Sequence, residues 1–225
     1  MMIKYIYFLN FINIAIFCIN CQNKNNFHHI SDFVINEKKN RTVLIYRDQN
    51  LPPLGSGCII KDGYVLTAQH VLTDAWDKLW ISYDGNTLTS VNIVKSEAKF
   101  DLALLKIIES NQEFPKDNLS FIDREKLNVG DYAFAWTGAY GAPPGFYLGM
   151  ISHKNRLNFD PMFPKIPFIQ VNGIAYPGAS GSCVFDEKGN WIGIVRAAIG
   201  IREASQVGLV IPIGFVNILL LQYFK

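Results

Sequence analysis

The chain has little charge and no large excess of either sign. Asp, Glu, Lys and Arg make up 18% of its 225 residues, and 21 Lys+Arg face 19 Asp+Glu. The basic residues are scattered rather than blocked, so no phosphate-binding surface is written into the sequence and nucleic acid is excluded as a partner. Cysteine is scarce, 4 in all, with no metal-ligand spacing. His28-His29 has no further ligand nearby and reads as an exposed linker pair. No metal and no cofactor is expected. Long amphipathic helical patterns are missing, which argues against an alternating βαβ fold. At 49% hydrophobic residues the chain also falls outside the disordered class.

What is present begins with a leader. Residues 5–19 are almost uninterruptedly apolar, follow Lys4 and precede the polar run Cys21-Gln22-Asn23-Lys24. Basic start, short apolar core and polar exit form the layout of an export signal, too short for a membrane span. Ile19-Asn20-Cys21 resembles a relaxed bacterial lipobox, so residues 1–20 are expected to be a lipoprotein signal, Cys21 the lipidated residue and 21–32 a polar tether. That would place the protein in a bacterial envelope or periplasm, held at the membrane through lipid; an ordinary secretory signal that leaves Cys21 unmodified is the competing reading. The uncharged stretch 204–224 is long enough for a span, but Pro212 would break such a helix, so a buried strand followed by a short helix over 214–224 is expected instead.

Between these ends, short β-type runs recur at 42–46, 57–60, 64–67, 80–83, 87–94, 102–108, 132–136, 146–151, 168–171, 182–185, 191–195 and 208–212, punctuated by Asp62-Gly63, Asp84-Gly85 and Lys188-Gly189. A dozen short strands describe an all-β protein of barrels or sandwiches. The polar stretch 109–126 divides it into halves of similar size.

Three segments contain the side chains that acyl transfer needs. A hairpin turning at Asp62-Gly63 runs into Leu66-Thr67-Ala68-Gln69-His70, leaving the imidazole at a strand end. Asp101 heads the core-like strand Leu102-Ala103-Leu104-Leu105, where a carboxylate can hold the proton-bearing side of an imidazole. Pro177-Gly178-Ala179-Ser180-Gly181 surrounds a serine with small residues, so backbone amides can turn toward one point. Alone, each has an ordinary reading: a histidine after a strand, a strand cap, a Gly-Ser turn.

Together, in order and spacing, Gly55-Ser56-Gly57, Leu66-Thr67-Ala68-Gln69-His70, Asp101-Leu102-Ala103-Leu104-Leu105, Pro177-Gly178-Ala179-Ser180-Gly181 and Trp191-Ile192-Gly193-Ile194 resemble the trypsin-like serine peptidases of the HtrA/Deg type. The resemblance covers most of the chain after the leader. It implies two six-stranded Greek-key β-barrels with a short C-terminal helix: barrel one over about 33–118, barrel two over about 119–213, in one peptidase domain 33–225. It also implies a serine endopeptidase that hydrolyses peptide bonds of protein or peptide substrates through an acyl-enzyme. Ser180 would be the nucleophile, His70 the general base and acid, and Asp101 the group that orients His70. The amides of Gly178 and Ser180 would form the oxyanion hole. The chain order His, Asp, Ser separates this pattern from that of α/β-hydrolases.

Departures from the family pattern bear on regulation. Ala179 stands where activatable trypsins carry an Asp, and Ser182 replaces the usual second Gly. No PDZ segment follows, so peptide-sensing regulation is not expected. By resemblance the primary pocket is walled by Ile174, Ala175, Tyr176, Ile194, Val195 and Arg196, with Arg196 pointing outward in preference to selecting acidic substrates. Cys58 and Cys183 would both lie on strands near the serine, where an export route permits a disulfide, but two buried thiols are the favoured expectation. The competing class is a protease fold kept as a catalytically inactive binding or scaffolding protein.

Overall fold

The computed structural model describes residues 30–73, 78–108, 113–115, 118–199 and 207–224. The signal segment, Cys21 and His28-His29 lie outside them. From Asp32 onward the chain is one compact unit.

Twelve strands among the described residues close into two antiparallel barrels. Barrel one is built from β1 (Thr42–Tyr46), β2 (Gly55–Ile59), β3 (Tyr64–Ala68), β4 (Leu79–Ser82), β5 (Thr89–Glu97) and β6 (Leu102–Ile107), in the order β1-β2-β3-β6-β5-β4. Barrel two comprises β7 (Tyr132–Thr137), β8 (Gly145–Arg156), β9 (Phe168–Asn172), β10 (Cys183–Asp186), β11 (Trp191–Ile199) and β12 (Val207–Pro212), in the order β10-β11-β12-β9-β8-β7. Every strand lies where the alternation of apolar residues and turn signals puts one. The strands extend furthest beyond that reading in β8, whose pairing with β9 shifts register twice between Ile151 and Arg156, and in β11. Bulges of this kind admit residues that break the period-two pattern.

The turns follow from local chemistry. Asp62 and Gly63 both take positive φ, 49° and 71°, at the centre of the turn that the Tyr64 amide closes by donating to Lys61 O. Asp84 accepts from the amides of Thr87 and Asn86 and from the Ser82 hydroxyl, which holds its carboxyl well below the usual carboxylate range. Each barrel closes on its own apolar interior. Val43, Ile45, Ile59, Val65, Ile81 and Leu105 fill the first, and Ala133, Ile151, Ile169, Val171, Ile192 and Val210 the second.

Two helices lie outside the barrels. α1 (Asp32–Lys39) falls at the tether boundary, where the sequence signalled no element; an acidic first turn and a basic last turn suit its dipole. Lys38 is buried over the Phe185 ring and pairs with Glu37. α2 (Ile213–Tyr223) follows β12 and turns Ile213, Val216 and Leu219 inward. Its aromatic residues reach the other barrel: Phe215 packs on Phe100 at 5.1 Å, and both Tyr223 and Phe224 on Tyr64. Such ring pairs are worth about 0.5–1.5 kcal/mol each beyond area burial. The C-terminal helix therefore straps barrel two to the residue beside Asp101.

Candidate active site

His70 sits on a 3-10 turn, Gln69–Leu72, that leaves the end of β3. β3 pairs with β6 so that Ala68 faces Leu102, bringing the residue after one strand beside the residue before the other. Asp101 occupies that position with φ 56°, a left-handed conformation that aspartate tolerates. Its main-chain oxygen accepts from Gln69, Oδ1 accepts from the His70 amide at 2.9 Å, and Oδ2 lies 2.8 Å from His70 Nδ1. The carboxylate is 1% exposed. One carboxylate thus fixes both the backbone and the ring of His70.

Ser180 lies on the tight turn that leads into β10, and barrel one holds that turn in place. The Ser56 amide donates to Ser180 O at 2.9 Å, while Ser56 Oγ donates to Gly178 O at 2.8 Å and accepts from Gly138 N at 3.1 Å. Thr67 Oγ1 in turn donates to Ser56 O. Gly181 packs so close that a Cβ would fall 2.0 Å from Ser56 O, and its φ of 92° excludes other residues as well. Ser56 therefore aligns the serine turn, a role the sequence reading did not assign to it. Its only signal was a small polar residue between two glycines at the start of the first hairpin.

The peptide joining Pro177 to Gly178 has a fixed direction. Pro177 O accepts from Tyr140 N at 2.6 Å, and the peptide is trans, so the Gly178 N–H points the opposite way. Among the described residues, neither this amide nor that of Ser180 has an acceptor. Two unbonded amides beside an accessible hydroxyl are equipped to bind a developing oxyanion.

Arg196 departs from expectation. Rather than pointing outward, it is 8% exposed and turned into the site, because β11 delivers it between the carboxylates of Asp101 and Asp160. Its Nε lies 2.7 Å from Asp101 Oδ2, NH1 lies 3.2 Å from His70 Nδ1, and the Cζ stands 5.0 Å from the centre of the Phe163 ring. Its main-chain oxygen accepts from Ser180 Oγ at 3.1 Å. Arg196 is thus in contact with His70, Asp101 and Ser180 together. The buried Ile174, Ala175, Ile194 and Val195 and the partly exposed Tyr176 surround the turn. Tyr176 packs against Tyr140 and Tyr147, two rings that the sequence reading passed over because neither lies in a motif.

Cys58 and Cys183 are also corrected. They are joined in a disulfide between β2 and β10, with Cα atoms 5.3 Å apart, inside the range that such a bond requires. Burial alone suggested thiols; the approach of the two barrels at this point makes the bridge.

A family model described as trypsin-like peptidase domain matches residues 55–194. A probable periplasmic serine endoprotease, DegP-like, from Pseudomonas putida is 35% identical over 164 residues, 72% of this chain and 33% of the relative. A protein of the same description from Buchnera aphidicola is 31% identical over 180 residues, 76% of this chain and 37% of the relative. The chain therefore spans about a third of the length of these curated relatives. Among solved structures, an HtrA-type protease, AlgW, with a decapeptide superposes with a TM-score of 0.72 at 23% identity, covering 85% of this chain and 66% of that one. The same protease with a tripeptide gives 0.72 at 24% identity, covering 84% and 62%. These two likenesses establish the fold.

Proposed function

The chain belongs to the trypsin-like peptidase family, and from that premise we propose that it is a serine endopeptidase whose triad is His70, Asp101 and Ser180. The observation that carries the reading is the Asp101–His70 pairing at 2.8 Å, set beside a serine turn with two unbonded amides. Ser180 Oγ attacks the scissile carbonyl carbon while His70 takes its proton, since an alkoxide is too costly to form unaided. The amides of Gly178 and Ser180 receive the oxyanion, a contribution of about 3–4 kcal/mol per donor in comparable sites. His70 then returns the proton to the leaving amine. Water repeats the sequence on the acyl-Ser180 ester and regenerates the hydroxyl. Asp101 orients the ring and stabilises the imidazolium without being protonated.

The reading is tested with a fluorophosphonate probe on the purified protein, the adduct being located by peptide mass mapping. A single adduct on Ser180 is expected. Absence of any adduct, or an adduct elsewhere, defeats it in favour of an inactive binding protein.

Substrates would be protein or peptide segments that enter between the barrels beside Tyr176. The relatives are described as periplasmic, which supports an envelope location, and Cys21 is the residue we assign to lipid attachment. No described helix is long and apolar enough to cross a membrane. Metabolic fatty-acid labelling of cells is expected to mark the protein and to fail on Cys21→Ala; undiminished label on that variant removes the anchor.

A further inference from the structure

The C-terminal helix α2 is apolar on both of its sides. None of its 11 residues is charged, and Ile213, Val216 and Leu219 turn inward onto the body. On the opposite side Ile218 is 41% and Leu221 65% exposed, and Phe224, just past the helix, is 48% exposed. A helix with apolar residues all round is ordinarily covered on every side. Packing on the barrels accounts for the inner set alone, so the outer set marks a contact surface.

The surroundings of that face say what covers it. Leu220, Leu221 and Phe224 border a cleft, and a second cleft continues past Leu220 and Phe224 to Lys61. At this end Tyr223 and Phe224 pack on Tyr64, and the Lys106 ammonium stands 4.4 Å from the centre of the Tyr64 ring. Asp62, whose main-chain oxygen accepts from Lys106, is the acidic residue of the turn, and the two lysines outnumber it. Aliphatic side chains edged by aromatic rings and then by amines match the layers of a bilayer surface: acyl chains, glycerol boundary and phosphates.

Two lengths narrow the choice further. Eleven residues rise about 16 Å, half of a hydrocarbon core of about 30 Å, so α2 can lie on a bilayer without crossing it. A second copy paired through the same short face would bury a few hundred Å² per partner at most, against about 800 Å² in a stable complex. We propose that the outer face of α2 docks on an anionic phospholipid bilayer, with Ile218, Leu221 and Phe224 entering the acyl boundary, as a second attachment beside the lipid on Cys21. The proposal rests on the lipid reading of Cys21 for its proximity to the membrane. Asp32 is 11 residues beyond Cys21, a reach of at most about 40 Å. Within that reach a weak surface contact becomes intramolecular and needs little affinity of its own.

Gln222→Trp places an indole on the exposed side of α2, away from the residues proposed for catalysis. This protein is purified from cells and reconstituted into vesicles of phosphatidylethanolamine and phosphatidylglycerol, with and without bromine on the acyl chains. The added indole is expected to emit further to the blue and to lose intensity to bromine, beyond the loss shown by the parent. No extra loss overturns the proposal. A blue shift without quenching marks a protein cover, a second copy included, and overturns it too. Adding Ile218→Gln and Leu221→Gln is expected to abolish the extra loss at an unchanged far-UV spectrum, and undiminished quenching counts against the docking. Replacing phosphatidylglycerol by phosphatidylcholine is expected to weaken quenching; an equal signal removes the preference for anionic lipid. Fatty-acid labelling keeps the two readings apart. An unlabelled Cys21 with a quenched α2 defeats the anchor and leaves the docking, whereas a labelled Cys21 with an unquenched α2 does the reverse.

Discussion

Ser180→Ala is expected to lower kcat on a peptide substrate about 10⁶-fold, and Asp101→Asn about 10⁴-fold, with KM little changed in either case. The two numbers differ because the residues do different work. Removing the Ser180 hydroxyl removes the nucleophile, and nothing nearby replaces it: the Ser182 hydroxyl is fully buried and, among the described residues, has no hydrogen-bond partner through which to pass a proton. Asn at 101 keeps the shape but presents an amide to a histidine held through both carboxylate oxygens, one on the main chain and one on the ring. It also leaves the buried Arg196 charge without its closest partner. Steady-state kinetics of the purified variants decide the matter. Activity of Ser180→Ala within tenfold of the parent would mean that another group attacks the carbonyl.

How much of this could be read in advance depended on whether the determinant was local. The strands were legible since apolar alternation and turn residues act within a few positions, and the type I′ turn at Asp62-Gly63 is a case in point. His70, Asp101 and Ser180 could be nominated together because each lies in a short segment whose residue types the chemistry restricts. Arg196 was not, because its direction depends on which side of β11 meets barrel one and on the carboxylates of Asp101 and Asp160, 95 and 36 residues earlier in the chain. An arginine in an apolar strand read as a surface residue by its cost of burial; the two carboxylates remove that cost. Ser56 was quoted only as part of a glycine motif, whereas its role exists through contacts with Gly178 and Ser180, made across the junction of the barrels. Position along the chain carries no trace of such contacts. α1 escaped for the opposite reason: eight mostly polar residues have no apolar stripe to detect, and the helix is held by Lys38 on Phe185 and by the Trp136 indole donating to Ile35 O at 3.0 Å.

Reduction of the Cys58–Cys183 bond is expected to destabilise the folded protein by about 3–5 kcal/mol. The bond closes a loop with a sequence separation of 125 residues, and the chain-entropy relation gives about 5 kcal/mol for a loop of that size, with measured disulfides commonly returning less. For a domain of this length the corresponding fall in Tm is about 6–20 °C. Comparing oxidised and reduced forms avoids the cavity that Cys→Ala would open at two fully buried sites. Equal midpoints in the two forms, or quantitative alkylation of both cysteines after denaturation without reductant, would remove the crosslink. The effect should also reach the chemistry. Cys58 lies two residues beyond Ser56, and Cys183 three beyond Ser180, on strands that meet through the Ser56 amide and the Ser180 carbonyl. Loosening the barrels at this point frees the serine turn from the residue that aligns it. Fluorophosphonate labelling should therefore fall in the reduced form at temperatures where its circular dichroism still reports folded barrels. The envelope location proposed above is oxidising, and there the bond persists; in a reducing cytosol the chain would lose both the crosslink and the alignment it protects.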